Sequence, residues 1–484
     1  MQALGRAIVE RTPVEGLAQE SPLGGLRRRD ATRVDVIAQS VAAVAPAGVA
    51  LVNPGELQAQ AGSFTMLAAL TTVIVVVLLA VTLNLFARRV TSAGSLYTFT
   101  VLGLGSRVGI VAGASLAIGY LSIAAVCLVG AASRIATLIG ADERTAPAIG
   151  AGIVLAMGVL IALVIARGVR LSTRILLVIE VIALAAVTTA AVMTFADAGW
   201  DLTPVLPQAV EAASGFDAVL AGVAVGLVGF IGFESGTALG AEVRRPLAAI
   251  PQSLITTVIV VGVCYLLGAG ANTVGGAAAG MAGAGALVNL IVALSFLACA
   301  LATATALARL CFVMSREGVL PTSLGAIGRR GTPAVAAAVA ATGVAAPALL
   351  IVALGGAGSR AEDTADSAAV LGFLVAYLLA AVAAPAFLAR IGEFRGVSAL
   401  PSTIVIIALA ATLIHFLFVI SPERAGPVWA GAVLLVVVIV VLLHRAHRDR
   451  AVAARIGIYD VPTASDSIGG APGPASETVP GRSR

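Results

Sequence analysis

Of the 484 residues, 59% are hydrophobic and only 11% are charged, against about 25% charge in an average soluble domain. So few charges cannot cover the surface of a soluble fold. At about twenty apolar residues per crossing, the chain has room for on the order of a dozen spanning helices. The formal charge is +5, and all thirty cations are arginine. The absence of lysine excludes Schiff-base, phosphate-loop and proton-carrying lysine chemistry, and the basic excess points to membrane topology rather than to nucleic acid.

Residues 1–33, with Arg27, Arg28 and Arg29, read as a polar tail without the apolar stretch of a cleavable signal peptide. Apolar segments of spanning length follow at 34–53, 64–86, 108–132, 147–166 and 175–195. A second set of five lies at 216–240, 252–271, 287–314, 333–355 and 368–389, and two more at 404–420 and 427–443. The tail 444–484 is polar, and its Gly-, Pro- and Ser-rich part, 464–484, is expected to be disordered. Cys127, Cys264, Cys299 and Cys311 sit in apolar runs without ligand spacing and read as small buried hydrophobes.

Arginine distribution gives the orientation. Arg88, Arg89 and Arg107 fall between spans 2 and 3, Arg167, Arg170 and Arg174 between 4 and 5, and Arg244 and Arg245 between 6 and 7. Arg316, Arg329 and Arg330 follow span 8, and Arg390 and Arg395 follow span 10. The opposite loops hold only Arg134, Arg144, Arg360 and Arg424. By the positive-inside rule both termini are expected in the cytoplasm. Trp200 and Trp429 then fall at the external boundaries, and His415, His444 and His447 suggest no metal site.

Two spans are interrupted. Span 1 carries Pro46 and Gly48 at its middle, where a missing amide and the proline ring disrupt the hydrogen-bond ladder. Span 6 carries Gly226, Gly229, Gly232 and Gly236 around Phe230 and Phe233, with Glu234 among them. Non-helical backbone at bilayer depth is tolerated only where it is buried or lines a cavity. Breaks at corresponding positions of two halves point to a transporter site, and these two open the two sets of five.

The stretch Gly232-Phe233-Glu234-Ser235-Gly236, continuing through Glu242 and Pro246 to Ile250-Pro251, resembles the signature of amino acid permeases of the amino acid–polyamine–organocation superfamily. Ser92–Tyr97 and Met314–Pro321 look like the same family. The resemblance covers roughly residues 34–443. It implies an all-α membrane protein of twelve transmembrane helices, an inverted five-plus-five repeat of the leucine-transporter type. The repeats would be 34–195 and 216–389, with helices 1 and 6 broken and 404–443 supplying two extra helices. It further implies that Pro46, Ala47 and Gly48 are unwound and receive a substrate carboxylate, for which free backbone amides are suited. Gly229, Phe230, Ile231 and Gly232 would expose carbonyls to the substrate ammonium, with Phe230 as an apolar gate and Val228 beside it. Tyr120 either lines the pocket or is a packed, hydrogen-bonded tyrosine. Pro46 leaves the site short of one amide donor, and the lysine that some proton-coupled relatives carry in helix 5 has no counterpart here.

Ionisable groups at bilayer depth are functional candidates. Glu234 either changes protonation as the site opens or pins the broken segment. Glu180 is either a proton carrier or half of a buried pair with Arg309, the pair being preferred because that embedded arginine needs a partner. Sodium coupling would instead use Thr303 or Thr305, which are not on one face, unless their hydroxyls bond to the preceding turn. The expected function is secondary active transport of an amino acid or related small amine across the plasma membrane, by symport or exchange, with proton or sodium as coupling ion and no cofactor or metal. A sodium-coupled carrier or one for another organic amine is the alternative. A channel lacks its filter signature, and an enzyme its clustered catalytic groups. The weakly polar lining mildly favours a neutral or apolar substrate side chain.

Overall fold

The computed structural model describes Leu26 and residues 30–142, 144–206, 215–275, 285–328, 331–419, 422–448, 452 and 455–457. The arginine triplet of the N-terminal tail, Arg329, Arg330 and the stretch 464–484 expected to be disordered lie outside the described residues. Regular structure among the described residues is helical, which satisfies backbone donors and acceptors without water. Among the described residues, ten helical stretches are long and apolar enough to cross a bilayer, so the chain is a multi-pass membrane protein.

The first span is broken. Helix α1 (Arg33–Val44) opens with a capping box: Thr32 N donates to Asp35 Oδ2 at 2.7 Å, and Asp35 N to Thr32 Oγ1 at 3.4 Å. It stops at Ala45, which is left-handed at φ 56° and ψ 69°, and α2 (Pro46–Leu51) restarts the helix. Helix α3 (Asn53–Ala61) then leads through a short turn into α4 (Thr65–Ala87). The chain continues as α5 (Leu96–Leu104), α6 (Ser106–Leu138), α7 (Ala146–Arg167) and α8 (Val169–Asp197). Helix α9 (Gly215–Val228) opens the second interrupted span, followed by tight turns and α10 (Pro246–Gly275). The rest is α11 (Gly285–Arg316), α12 (Ala334–Ala353), α13 (Arg360–Arg390), α14 (Gly396–Phe418) and α15 (Pro422–Arg448).

Burial sorts the helices. The apolar windows of α6, α11 and α13 are 72%, 78% and 67% buried, whereas those of α14 and α15 are 22% buried and form the rim. The centre is held close by small residues: a Cβ on Gly372 of α13 would lie 2.5 Å from the Ser115 carbonyl of α6. The rim instead turns Ile407, Ile414, Val436, Val437 and Val440 outward, as a lipid-facing surface requires.

The loop expected between spans 2 and 3 contains α5, which is too short to cross a bilayer. It folds because Leu96, Tyr97 and Phe99 are apolar at helical spacing and all are buried; the Phe99 ring stacks on Phe86, centroids 4.9 Å apart.

The two ends of the bundle differ. At the end bearing the Arg-rich loops, polar contacts tie the elements together. Ala31 pairs with 242–244 through Ala31 N to Glu242 O and Arg244 N to Ala31 O, both 3.0 Å. Arg170 meets Asp30 at 3.0 Å, Arg89 meets Glu393 at 2.7 Å, and Thr173 donates to Asp35 at 2.5 Å. The C-terminal segment closes the same end: Val452 and Ile456 are buried, and Gly457 N donates to Glu317 Oε1 at 3.0 Å. Tyr97 donates its hydroxyl to Glu317 Oε2.

Burial pushes the Glu317 carboxyl up to about 7, against the pull of its two hydrogen bonds. The folded protein therefore keeps a proton there that the unfolded chain releases near 4.5. Stability from this site is full below that value and is lost as pH rises through about 7. Between about pH 5 and about pH 8, thermal unfolding in detergent should show the wild type losing stability relative to Glu317→Gln, which stays neutral. Parallel curves would refute this.

Candidate functional site

The two interruptions lie side by side at the centre of the bundle. Proline disfavours the α-region for the residue before it, which places the break at Ala45 and not within Pro46-Ala47-Gly48. Those three residues are helical and open α2, a correction to the unwound segment expected there. Pro46 suits a first helical position because it has no amide to leave unpaired. Val49 N already bonds Ala45 O at 3.0 Å, so the amides of Ala47 and Gly48 belong to the first turn, where helices leave donors free.

On the other strand of the break, α9 ends at Val228. The next residues run as three-residue turns: Gly229 N to Gly226 O at 3.0 Å, Phe230 N to Leu227 O at 3.1 Å and Ile231 N to Val228 O at 3.1 Å. Gly232 has φ 93°, and a Cβ there would lie 2.9 Å from Ala43 O. Glycine is required twice over, by backbone conformation and by contact.

A cavity of about 820 Å³ reaches from the Arg-poor end to these breaks. Its inner wall includes Ala45, Gly48, Val228, Gly229 and Ile231, and its side wall Cys127, Phe296 and Cys299. Nearer the mouth stand Glu56, Glu362, Asp363 and Asp366 with Arg134 and Arg424. Glu56 and Arg424 are paired at 2.6 Å but exposed, so that contact contributes only about 0–1 kcal/mol.

Of the expected substrate-contacting residues, Gly48, Val228, Gly229 and Ile231 line this cavity, whereas Pro46, Ala47, Tyr120, Phe230 and Gly232 are not on its wall. Phe230 is 1% exposed and packs edge-on against Tyr265, centroids 5.5 Å apart. Tyr120 donates to Glu234 Oε1 at 2.7 Å, the packed and hydrogen-bonded alternative. Tyr377 donates to Glu234 Oε2 at 2.5 Å and accepts from Gly232 N at 3.2 Å. Glu234 thus ties the broken segment to α6 and α13 from behind the cavity. Tyr377 was missed because nothing in α13 marks it beyond being a tyrosine in an apolar run.

The expected pair of Glu180 with Arg309 does not form. Arg309 Nε meets Glu242 Oε2 at 2.6 Å and Nη2 meets Oε1 at 3.3 Å, while Nη1 donates to Thr305 O at 3.0 Å. Glu180 lies within electrostatic range of the thiols of Cys264 and Cys299 but bonds neither. Cys299 is ten residues before Arg309 on α11, about 15 Å at 1.5 Å per residue, too far for one carboxylate to serve both. Glu180 is 2% exposed, and neither oxygen has a hydrogen-bond partner among the described residues. Thr303 donates to Cys299 O at 2.7 Å, the preceding turn, and the buried Thr305 hydroxyl has no partner among the described residues. Thr303 and Thr305 therefore do not converge. No group of three or more potential metal ligands occurs among the described residues.

No individual protein of curated function matches the chain. The family described as amino acid permease matches over residues 33–443, which takes in α1 to most of α15, both breaks and the walls of the cavity. A broken first helix, a glycine-rich second break and a cavity ending between them accord with that match: the chain belongs to the amino acid permease family of the amino acid–polyamine–organocation superfamily.

Proposed function

We propose that the protein is a secondary active transporter of an amino acid or related small amine, working by alternating access through twelve spans arranged as two inverted five-helix repeats plus two. The observation that carries this is the cavity whose inner wall draws on both helix breaks, Ala45 and Gly48 on one side and Val228, Gly229 and Ile231 on the other. The first-turn amide of Gly48 suits a carboxylate, and the turns at Gly229 and Ile231 present backbone carbonyls to an ammonium group. The apolar Val228 and Ile231 beside them favour a neutral side chain. In a plasma membrane with the Arg-rich end in the cytoplasm, the cavity opens outward and the tied end closes the inner face.

Coupling follows from Glu180. An ionised carboxylate without a partner at this depth costs several kcal/mol, so Glu180 is the group suited to take up a proton on one side and release it on the other.

The test is uptake of amino acids and amines into proteoliposomes, with an imposed proton gradient and with sodium replaced by choline. Saturable, stereoselective uptake that follows the proton gradient and ignores sodium is expected. Glu180→Gln should abolish the dependence on the gradient while leaving exchange of preloaded substrate. Unchanged pH dependence in that variant would remove Glu180 from the mechanism, and hydrolysis or ion conduction without saturable uptake would overturn the transporter reading.

A further inference from the structure

Two of the four cysteines face each other across the wall of the cavity. Cys127 belongs to α6 and Cys299 to α11, both line the cavity, and their side chains interact. The register of the two helices places them there independently. A Cβ on Gly113 would lie 3.3 Å from the Met314 side chain, and one on Gly130 would lie 2.9 Å from the Phe296 ring. The helices therefore run antiparallel. Stepping three residues back from Gly130 and three forward from Phe296, close to one turn on each, brings Cys127 opposite Cys299. Gly130 lets the helices approach at this level because a side chain there would strike Phe296. Cys299 also donates to the Ala43 carbonyl at 3.0 Å, two residues before the break at Ala45.

Neither thiol is in a disulfide, and no third sulfur, imidazole or carboxylate joins them as a ligand among the described residues. Two sulfurs and no more suit an ion that is satisfied by two-fold sulfur coordination, and soft thiolate ligands select soft metals. Burial adds a charge condition: two thiolates with a divalent ion form a neutral unit, whereas a monovalent ion leaves a net negative charge in a low-dielectric wall. We infer that Cys127 and Cys299 form a binding site in the cavity wall for a soft, two-coordinate divalent cation, of which Hg(II) is the simplest probe. Binding breaks two S–H bonds and forms two S–metal bonds, and both protons leave to water through the cavity. The Cys299 hydrogen bond to Ala43 is lost in the same step.

The test uses the full chain in detergent, with Cys264→Ala and Cys311→Ala removing the other two thiols. One Hg(II) per chain should survive gel filtration in excess 2-mercaptoethanol, because the second sulfur binds intramolecularly at high effective concentration. Adding Cys127→Ala or Cys299→Ala should cut retention by at least about tenfold, since only monothiol binding remains. A second measurement needs no variant: prior Hg(II) should protect both Cys127 and Cys299 of the wild-type chain from alkylation by N-ethylmaleimide, read by peptide mass. Equal retention in the paired and single-cysteine chains, or alkylation of either cysteine with Hg(II) bound, would overturn the site. Neither readout depends on transport.

Discussion

Glu242→Leu lowers the stability of the folded protein by about 3–5 kcal/mol, the usual cost of removing one partner of a buried ion pair. Arg309 and Glu242 are 1% and 3% exposed at the side chain and meet through two contacts. Cutting back the carboxylate strands a permanently charged guanidinium that no water reaches. Arg309 cannot shed its proton to escape the penalty. The double variant Glu242→Leu/Arg309→Leu should recover most of the loss, because two apolar side chains of suitable volume often replace a buried pair at little cost. Thermal unfolding of the three proteins in one detergent measures both differences. A single variant as stable as the wild type would mean that the pair is not desolvated in the membrane protein.

Glu234→Ala is the second large effect, and it acts on the break itself. The substitution leaves the buried hydroxyls of Tyr120 and Tyr377 without their acceptor, at about 1–3 kcal/mol for each orphaned group. The Gly232 amide is held through Tyr377, so the turn that positions Gly229 and Ile231 in the cavity loses its anchor. Uptake should fall to background while the chain still inserts and elutes as a monodisperse species. Glu234→Gln separates two roles for the carboxylate. An amide still accepts one hydroxyl and keeps the segment in place, so a pinning residue retains most of its uptake and the same pH profile. A proton-exchanging residue loses the pH dependence outright. The geometry, two donors on one carboxylate behind the cavity, predicts the first outcome.

Most of the helical layout was legible because the bilayer imposes one simple rule, a long apolar run per crossing, and the long spans obey it. The family signature was legible for a different reason: Gly232, Glu234, Glu242 and Pro246 form a dense local pattern within one stretch of chain. Legibility failed where the decisive partner lay far away in sequence. The pairing of Arg309 with Glu242 over Glu180 depends on depth along α11, which the sequence reading did not resolve. The Tyr120–Glu234–Tyr377 cluster joins α6, α13 and the broken segment, whose relative placement no single stretch of sequence encodes. Ala45 was a nearer miss, since the conformational restriction that proline places on its predecessor was available from the dipeptide alone. Helix α5 was passed over because nine residues are too few to signal a crossing, although its apolar spacing was present.

The contacts that tie the Arg-rich end are also spaced widely along the chain. Ala31 waits for 242–244, and Glu317 waits for Gly457. During synthesis the first of these contacts can form once residue 244 has emerged, but the second needs residues made after every span. The walls of the cavity can therefore come together before the last tie exists, and the seal at that end is completed by a segment that follows the last span.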